Sequence, residues 1–574
     1  MSGEKKLDLV LLWHMHQPDF RDPVSGEFLL PWVYLHAIKD YADMAAHLER
    51  HPEMRAAVNL VPVLLDQIED YAGQFARGEV RDPLLRLLAR EDLRSLDTAE
   101  RDLILDRCFR ANHHKMIEPY APYKRLHALF TFSNDHGVEA ARYLSSEFLG
   151  DLLTWYHLSW TGETVRRDRD LIPRLMAKGQ HFSHEDRRAL FALIGEIVSG
   201  LVPRYRSLAQ RGQVELCASP YAHPIGPLLL DLRAAREPQP ELPLPNVDHY
   251  PGGRGRLAWH IERAMKVHEE RFHAPLRGMW PAEGAISSDF LQMLSAAGLQ
   301  WAASGEGVLA NSVKRLQGKL PPREKFLYKA YRVGKPGQQI SCFFRDDRLS
   351  DLIGFEYSKW HGRDAVAHFL AELDAIRTQA EEGDTPMVAV MLDGENAWEF
   401  YPYNGYYFLE ELYESLERRP DIRTWTPSAW LDQVAGLPEA QRARRIGELP
   451  EVVAGSWVYG NLATWIGSPD KNLAWNLLCT AKQGYDLVMA GGRLSAQEAE
   501  AAQAQLAACE GSDWFWWFGD YNPSDSVVSF DRLYRQRLSQ LYDTLHLPVP
   551  EQLARPISQG GGHPEMAGAM RRAS

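Results

Sequence analysis

Two apolar stretches of the chain end in carboxylic acids set beside tryptophans. Residues 387–392 run Met-Val-Ala-Val-Met-Leu and stop at Asp393, with Gly394, Glu395, Asn396 and Trp398 following. Residues 277–283 bring Glu283 three positions after Trp280. A buried strand that delivers an acid from its C-terminal end is how β/α barrels build active sites. Two such acids suit glycoside chemistry, one as nucleophile and the other as proton donor. The competing reading makes both acids helix caps or arginine partners.

Histidines sit at two further strand ends. The run from Leu7 to Trp13 is apolar at nearly every position and leads into His14, His16, Gln17 and Pro18. The alternation His14, Met15, His16 puts both imidazoles on one side of the strand end. Residues 214–219 resume strand character and lead to His223. Metal binding, hydrogen bonding to a substrate and plain core packing are all open to these histidines. The apolar residues 342–344 end in Arg345, Asp346 and Asp347, with Asp351 close behind. These charges read equally as an internal ion-pair network or as substrate contacts. Trp457 and Trp465 lie in a Trp/Gly-rich stretch over 455–465. The aromatic run 514–518 either stacks sugars or is buried between helices.

The elements that must position these residues alternate between strand and helix. Strands or strand ends are expected over 7–18, 56–62, 214–220, 277–286, 300–304, 341–348, 387–393 and 422–427, most of them followed by a stretch of helical periodicity. Apolar spacing of three to four residues over about 82–212 predicts an inserted helical subdomain, too long for one barrel crossover. The domain reading is therefore a catalytic barrel over 1–436, a C-terminal helical domain over 437–547 that completes the cleft, and a flexible tail over 548–574.

Composition narrows the partners. The 574 residues are 45% hydrophobic and 25% charged, as in ordinary globular proteins, and exceed what one core can hold. A net charge of -13 disfavours nucleic acid and anionic membrane, which attract basic faces. Seventeen tryptophans fit glycan stacking and large cores alike. Five dispersed cysteines without ligand spacing argue against a disulfide framework or thiolate metal site and for a reducing, cytoplasmic setting.

Taken together, the strand ends resemble glycoside hydrolase family 57. His16-Gln17-Pro18, Tyr221-Ala222-His223-Pro224, Trp280-Pro281-Ala282-Glu283 and the segment from Leu392 to Trp398 match four of its sequence regions. The segment from Trp465 to Trp475 looks like the fifth. The resemblance spans roughly residues 7–480. It implies an incomplete (β/α)7 barrel with a helical C-terminal region, and retaining cleavage of α-glucans without a catalytic metal or other cofactor. Carried onto this chain, Glu283 takes the nucleophile role and Asp393 the general acid/base role, while His16 and His223 contact the sugar where the bond breaks. The segment from Asp393 to Glu399 resembles the amylopullulanase and amylase-like members more than the branching enzymes or glucanotransferases.

Retention requires the two carboxyl groups about 5–5.5 Å apart. Asp393 must start protonated, and repulsion from Glu283 and Glu395, with aromatic cover, is expected to raise its pKa. His14, His16, Gln17, His223, Asp351 and Glu395 are the expected polar contacts to substrate. Trp280, Trp398, Trp457 and Trp465 are the expected stacking faces. The leading expectation is hydrolysis of α-1,4, with α-1,6 as a second linkage, in glycogen- or starch-type glucans or maltodextrins. A 4-α-glucanotransferase or branching-type transglycosylase would use the same carboxylates. A remoter alternative is a metal-dependent hydrolase with His14, His16, His223 and Asp351 as ligands, and another is a non-catalytic glycan-binding protein.

Overall fold

The structure is a computed structural model and describes residues 5–135, 143–247 and 249–562. Among these, ten strands form one sheet: β1 (Leu7–Met15), β2 (Ala56–Leu60), β3 (Val214–Cys217), β4 (Gly278–Met279), β5 (Trp301–Gly305), β6 (Ala330–Val333), β7 (Ile340–Arg345), β8 (Met387–Asp393), β9 (Ile422–Trp425) and β10 (Ile446–Leu449). The architecture is mixed α/β with mostly parallel pairing.

β8, β1, β2 and β3 pair side by side in parallel, and so do β4, β5, β7 and β8. A parallel bridge between Ala218 and Met279 joins β3 to β4. The seven strands therefore form a circuit that returns to its start. Two seams are thin: that bridge, and a β7–β8 contact registered only at Arg345 and Ala389. β9 runs parallel beside the first half of β1, whereas β6 is antiparallel to β7 and carries β10 on its other edge.

Every residue of β1 and of β8 is buried, which is why both read as continuous apolar runs. Alternate residues serve different cores. Leu9, Leu11 and Trp13 pack in one cluster with Val388, Val390 and Leu392; Val10 and Leu12 pack in the other with Met387, Ala389 and Met391. By this period of two, His14 shares the side of Val10 and Leu12, and Asp393 shares the side of Met387, Ala389 and Met391. The register confirms it, pairing Asn59, His14 and Asp393 across the C-terminal ends of β2, β1 and β8. At the opposite end of β1, buried Asp8 accepts hydrogen bonds from Arg423, Trp425, Trp430 and Arg445.

β4 is two residues long. Pro281 lacks the N–H that would extend it. Gly278 must remain glycine, since a Cβ there would lie 1.8 Å from the Trp301 ring.

Between β2 and β3 the described chain is helical, with Pro62–Arg77, Ala121–Asp135, Ser146–Ser159 and His184–Gln210 as its longer members. After β10 come helices Pro469–Ala490, Ala496–Cys509, Asp513–Trp517 and Ser524–Thr544. β10 lies past residue 437, where the sequence reading began the C-terminal domain, yet it pairs into the sheet. Of the segment read as a tail, residues 551–562 pack down: Leu553 and Ile557 are buried, and Ser558 donates to Asp470. The rest of that segment, 563–574, lies outside the described residues.

All five cysteines are free and buried. No helix among the described residues is long and apolar enough to cross a membrane.

Candidate active site

A cleft of about 940 Å³ opens at the C-terminal ends of the parallel strands. Glu283, Asp393, His14, His16, Gln17, Glu395 and Trp457 all line it. The helical region after β2 contributes a rim over 110–118, and the C-terminal region contributes Asp513, Trp516, Trp517 and Phe530.

Glu283 lies just beyond β4, in left-handed backbone with φ 58°. A non-glycine residue in that region is strained, and the surrounding contacts must hold it there. The Trp/Gly-rich loop does so. The Trp457 N–H donates to the Glu283 carbonyl (3.2 Å), and its indole Nε1 donates to Glu283 Oε2 (3.1 Å). Ile286 and Gly455 exchange backbone hydrogen bonds of 2.8 and 3.1 Å alongside. Arg345, from the end of β7, sits 5.5 Å over the Trp457 ring. Its guanidinium is spread over the Met391 carbonyl, Asp347 and Asp351.

Asp393 closes β8 and accepts a hydrogen bond from Asn396 (3.2 Å). Burial pushes its carboxyl up to about 6, against the lowering effect of the Asn396 bond and of nearby Arg345 and His16. Of the two causes expected from the sequence, desolvation is the one that acts; the like-charge repulsion put first does not, and the charges that act on Asp393 pull the other way. Glu395 is held well above the usual carboxylate range, first by burial, although Tyr41 and Gln17 hydrogen-bond to it. Glu399, also on the cleft wall, is raised by burial to about 7.

The histidines gather tightly. His16 and His223 stack with centroids 3.9 Å apart, and His14 lies 5.0 Å from His223. Burial lowers His14 to about 3, so its ring is neutral and Nδ1–H donates to Asn59 Oδ1 (2.7 Å). His223 too is held well below its usual value by burial. It occupies left-handed backbone, φ 59°, just beyond β3. His16 Nε2 faces both oxygens of Asp513, at 3.0 and 2.9 Å. Two buried ring nitrogens, His16 Nδ1 and His223 Nε2, have no partner among the described residues.

His16, His223 and Asp513 offer atoms within 4.8 Å of one another. The rings nevertheless lie face to face, 26° from parallel. Their in-plane lone pairs run side by side and do not converge on a point about 2 Å from both nitrogens, as a shared metal requires. Asp351, the fourth ligand of the metal reading, is tied to Arg345 at 2.7 Å and does not line the cleft.

The predicted stacking faces divide. Trp457 lines the cleft, half-buried. Trp280, Trp398 and Trp465 are fully buried and do not line it. Trp280 packs behind Trp457, and Trp398 packs against Trp13 and Tyr401. Trp516 and Trp517, whose role the sequence left open, do reach the cleft, whereas Trp514 and Phe515 are buried. Sequence reasoning missed Asp513 and Ser512 entirely, and neither stands in a recognisable motif.

The architecture is that of an α/β enzyme whose polar groups gather beyond the C-terminal strand ends. The chain belongs to glycosyl hydrolase family 57, whose family model matches residues 10–439. Solved structures with the same overall fold include a family 57 branching enzyme from Thermococcus kodakaraensis in complex with glucose (15% identity, 94% of this chain and 90% of that one, TM-score 0.55). A branching enzyme of the same type from Pyrococcus horikoshii matches at 15% identity over 96% of both chains (TM-score 0.53). An α-amylase from Thermotoga maritima matches at 13% identity over 94% of both (TM-score 0.54). No curated protein matches the sequence. The protein is accordingly a glycoside-active enzyme.

Proposed function

We propose that the protein is a retaining enzyme of α-glucans, with Glu283 as nucleophile and Asp393 as general acid/base. The observation that carries this reading is that both carboxyl groups, delivered by β4 and β8, line one cleft. The circuit of seven parallel strands supports reading the core as a (β/α)7-type barrel. In the first step Glu283 attacks the anomeric carbon, the glycosidic C–O bond breaks, and the leaving oxygen takes the Asp393 proton. In the second, Asp393 removes a proton from an incoming hydroxyl, whose oxygen attacks the anomeric carbon and frees Glu283. The unpartnered Nδ1 of His16, which lines the cleft, suits a sugar hydroxyl, since buried polar atoms call for partners; His223 is fully buried against the His16 ring and does not line the cleft.

Water as acceptor gives hydrolysis of α-1,4 or α-1,6 bonds; a sugar hydroxyl gives transfer. The aromatic wall of Trp457, Trp516 and Trp517 offers stacking surface for an acceptor chain, which favours a transglycosylase as the second reading.

Incubation with maltoheptaose decides between them. Shorter chains with rising reducing ends mean hydrolysis, and longer chains at constant reducing ends mean transfer. An untouched oligosaccharide would remove α-1,4-glucans as the substrate class.

The acid also sets a pH limb. Asp393 must be protonated to act, and its carboxyl titrates at about 6. Activity is therefore expected to be present below pH 6 and to fall about tenfold per unit above it. Activity that already falls near pH 4 as the pH rises would assign the acid role elsewhere; a limb that rises on the acid side belongs to Glu283, which must be ionised to attack.

A further inference from the structure

Both stacked histidines are fastened from one short stretch of the C-terminal region. We propose that Asp513 and Ser512 are positioning residues for His16 and His223, and that Asp513 selects the His16 tautomer that presents Nδ1 as a hydrogen-bond acceptor. The inference rests on the reading above for what the histidines contact.

Asp513 places both oxygens at 3.0 and 2.9 Å from His16 Nε2. An ionised carboxylate only accepts, so Nε2 must carry a proton. In the neutral ring the other nitrogen is then an acceptor, and Nδ1 is the buried His16 atom without a partner among the described residues. Ser512 holds its neighbour twice over. Its N–H donates to the His223 carbonyl (2.9 Å), and its hydroxyl is bonded to His223 Nδ1 (2.9 Å). His223 needs such fastening, because its left-handed backbone is costly unless surrounding contacts impose it. With the rings stacked at 3.9 Å, displacing either one disturbs the other.

The stretch is itself anchored. Buried Glu510 accepts from Arg256 Nε and Nη2 (both 2.8 Å), Tyr250 (2.6 Å) and His260 Nε2 (2.8 Å). His260 in turn accepts from the Ala222 N–H at Nδ1 (3.3 Å), one residue before His223. Hydrogen bonds and chain thus make a closed loop through Glu510, His260, Ala222, His223 and Ser512. It locks the C-terminal region to the strand end that presents the histidine.

The test combines Asp513→Ala, His16→Ala and the double variant, assayed on maltoheptaose, with a crystal structure of Asp513→Ala. We expect Asp513→Ala to lose at least about 30-fold, mainly in kcat, as for other residues that orient a histidine. The double variant should be no worse than His16→Ala alone, because Asp513 acts through that ring. Asp513→Asn keeps one acceptor and the side-chain shape, and should fall between wild type and Asp513→Ala. In the crystal the His16 ring should leave its place on His223. Wild-type rates in Asp513→Ala, or losses that multiply in the double variant, would overturn the inference while leaving the glucan reading intact. If wild type itself ignores maltoheptaose, that reading fails, and the crystal still decides: an unmoved His16 ring sinks the positioning role.

Discussion

Glu283→Gln and Asp393→Asn are each expected to lower turnover of an α-glucan by at least about 10³-fold, with unfolding little changed. Gln cannot form the glycosyl ester, so the first bond is never exchanged for a covalent intermediate. Asn cannot give up a proton to the leaving oxygen, and general acid catalysis alone contributes about 10²–10⁴-fold. The two losses should separate by leaving group. A substrate with a good leaving group, such as a nitrophenyl maltoside, needs little protonation, so Asp393→Asn should recover part of the first step on it. Glu283→Gln should not recover. Full activity in either variant on maltoheptaose would remove that residue from its role, and recovery of Glu283→Gln without Asp393→Asn would reverse the assignment.

Glu510→Ala is expected to cost about 3–5 kcal/mol of stability, because it strands the buried Arg256 guanidinium without its counter-charge. Burial pushes the Glu510 carboxyl up, but Arg256 and the bonds from His260 more than offset this and hold it at about 2. The folded-state pKa is therefore depressed. The pair's contribution is present above the ordinary glutamate value near 4.3 and fades as pH falls through about 2. Urea unfolding of wild type and variant at pH 7 and pH 3 measures this, and the gap between them should narrow at the lower pH. A loss under about 1 kcal/mol at neutral pH would show that water already relieves Arg256.

The sequence carried some of this architecture plainly and other parts not at all. β1 and β8 were legible because burial on both faces makes an unbroken apolar run, and a polar residue can only enter where such a strand ends. His14, Asp393 and Glu395 were found by that logic. β6 and β10 were missed: four residues long and partly exposed, they give no such contrast. The tryptophans show the limit of composition. Trp280 and Trp398 sit in motifs with the catalytic candidates and Trp465 heads another, yet all three rings turn into the core. Which way a ring points depends on partners distant in sequence, such as Trp13 beside Trp398. The weight given to like charges in the Asp393 shift was misjudged for a related reason. Proximity of acids can be read from a motif, whereas the degree of burial depends on everything packed around them.

The bond between His16 and Asp513 joins residues 497 positions apart. On a ribosome adding about 5–20 residues per second, roughly half a minute or more separates their appearance. β1 leaves the exit tunnel long before β8, its most extensively registered neighbour, has been translated. Meanwhile its apolar edge has only β2 to pair with, an invitation to association with other chains. Synthesis of this protein is therefore expected to lean on chaperones that shield nascent N-terminal segments, and a ribosome-arrested fragment ending before residue 510 should carry Glu283 and Asp393 yet have no clasp on its histidines.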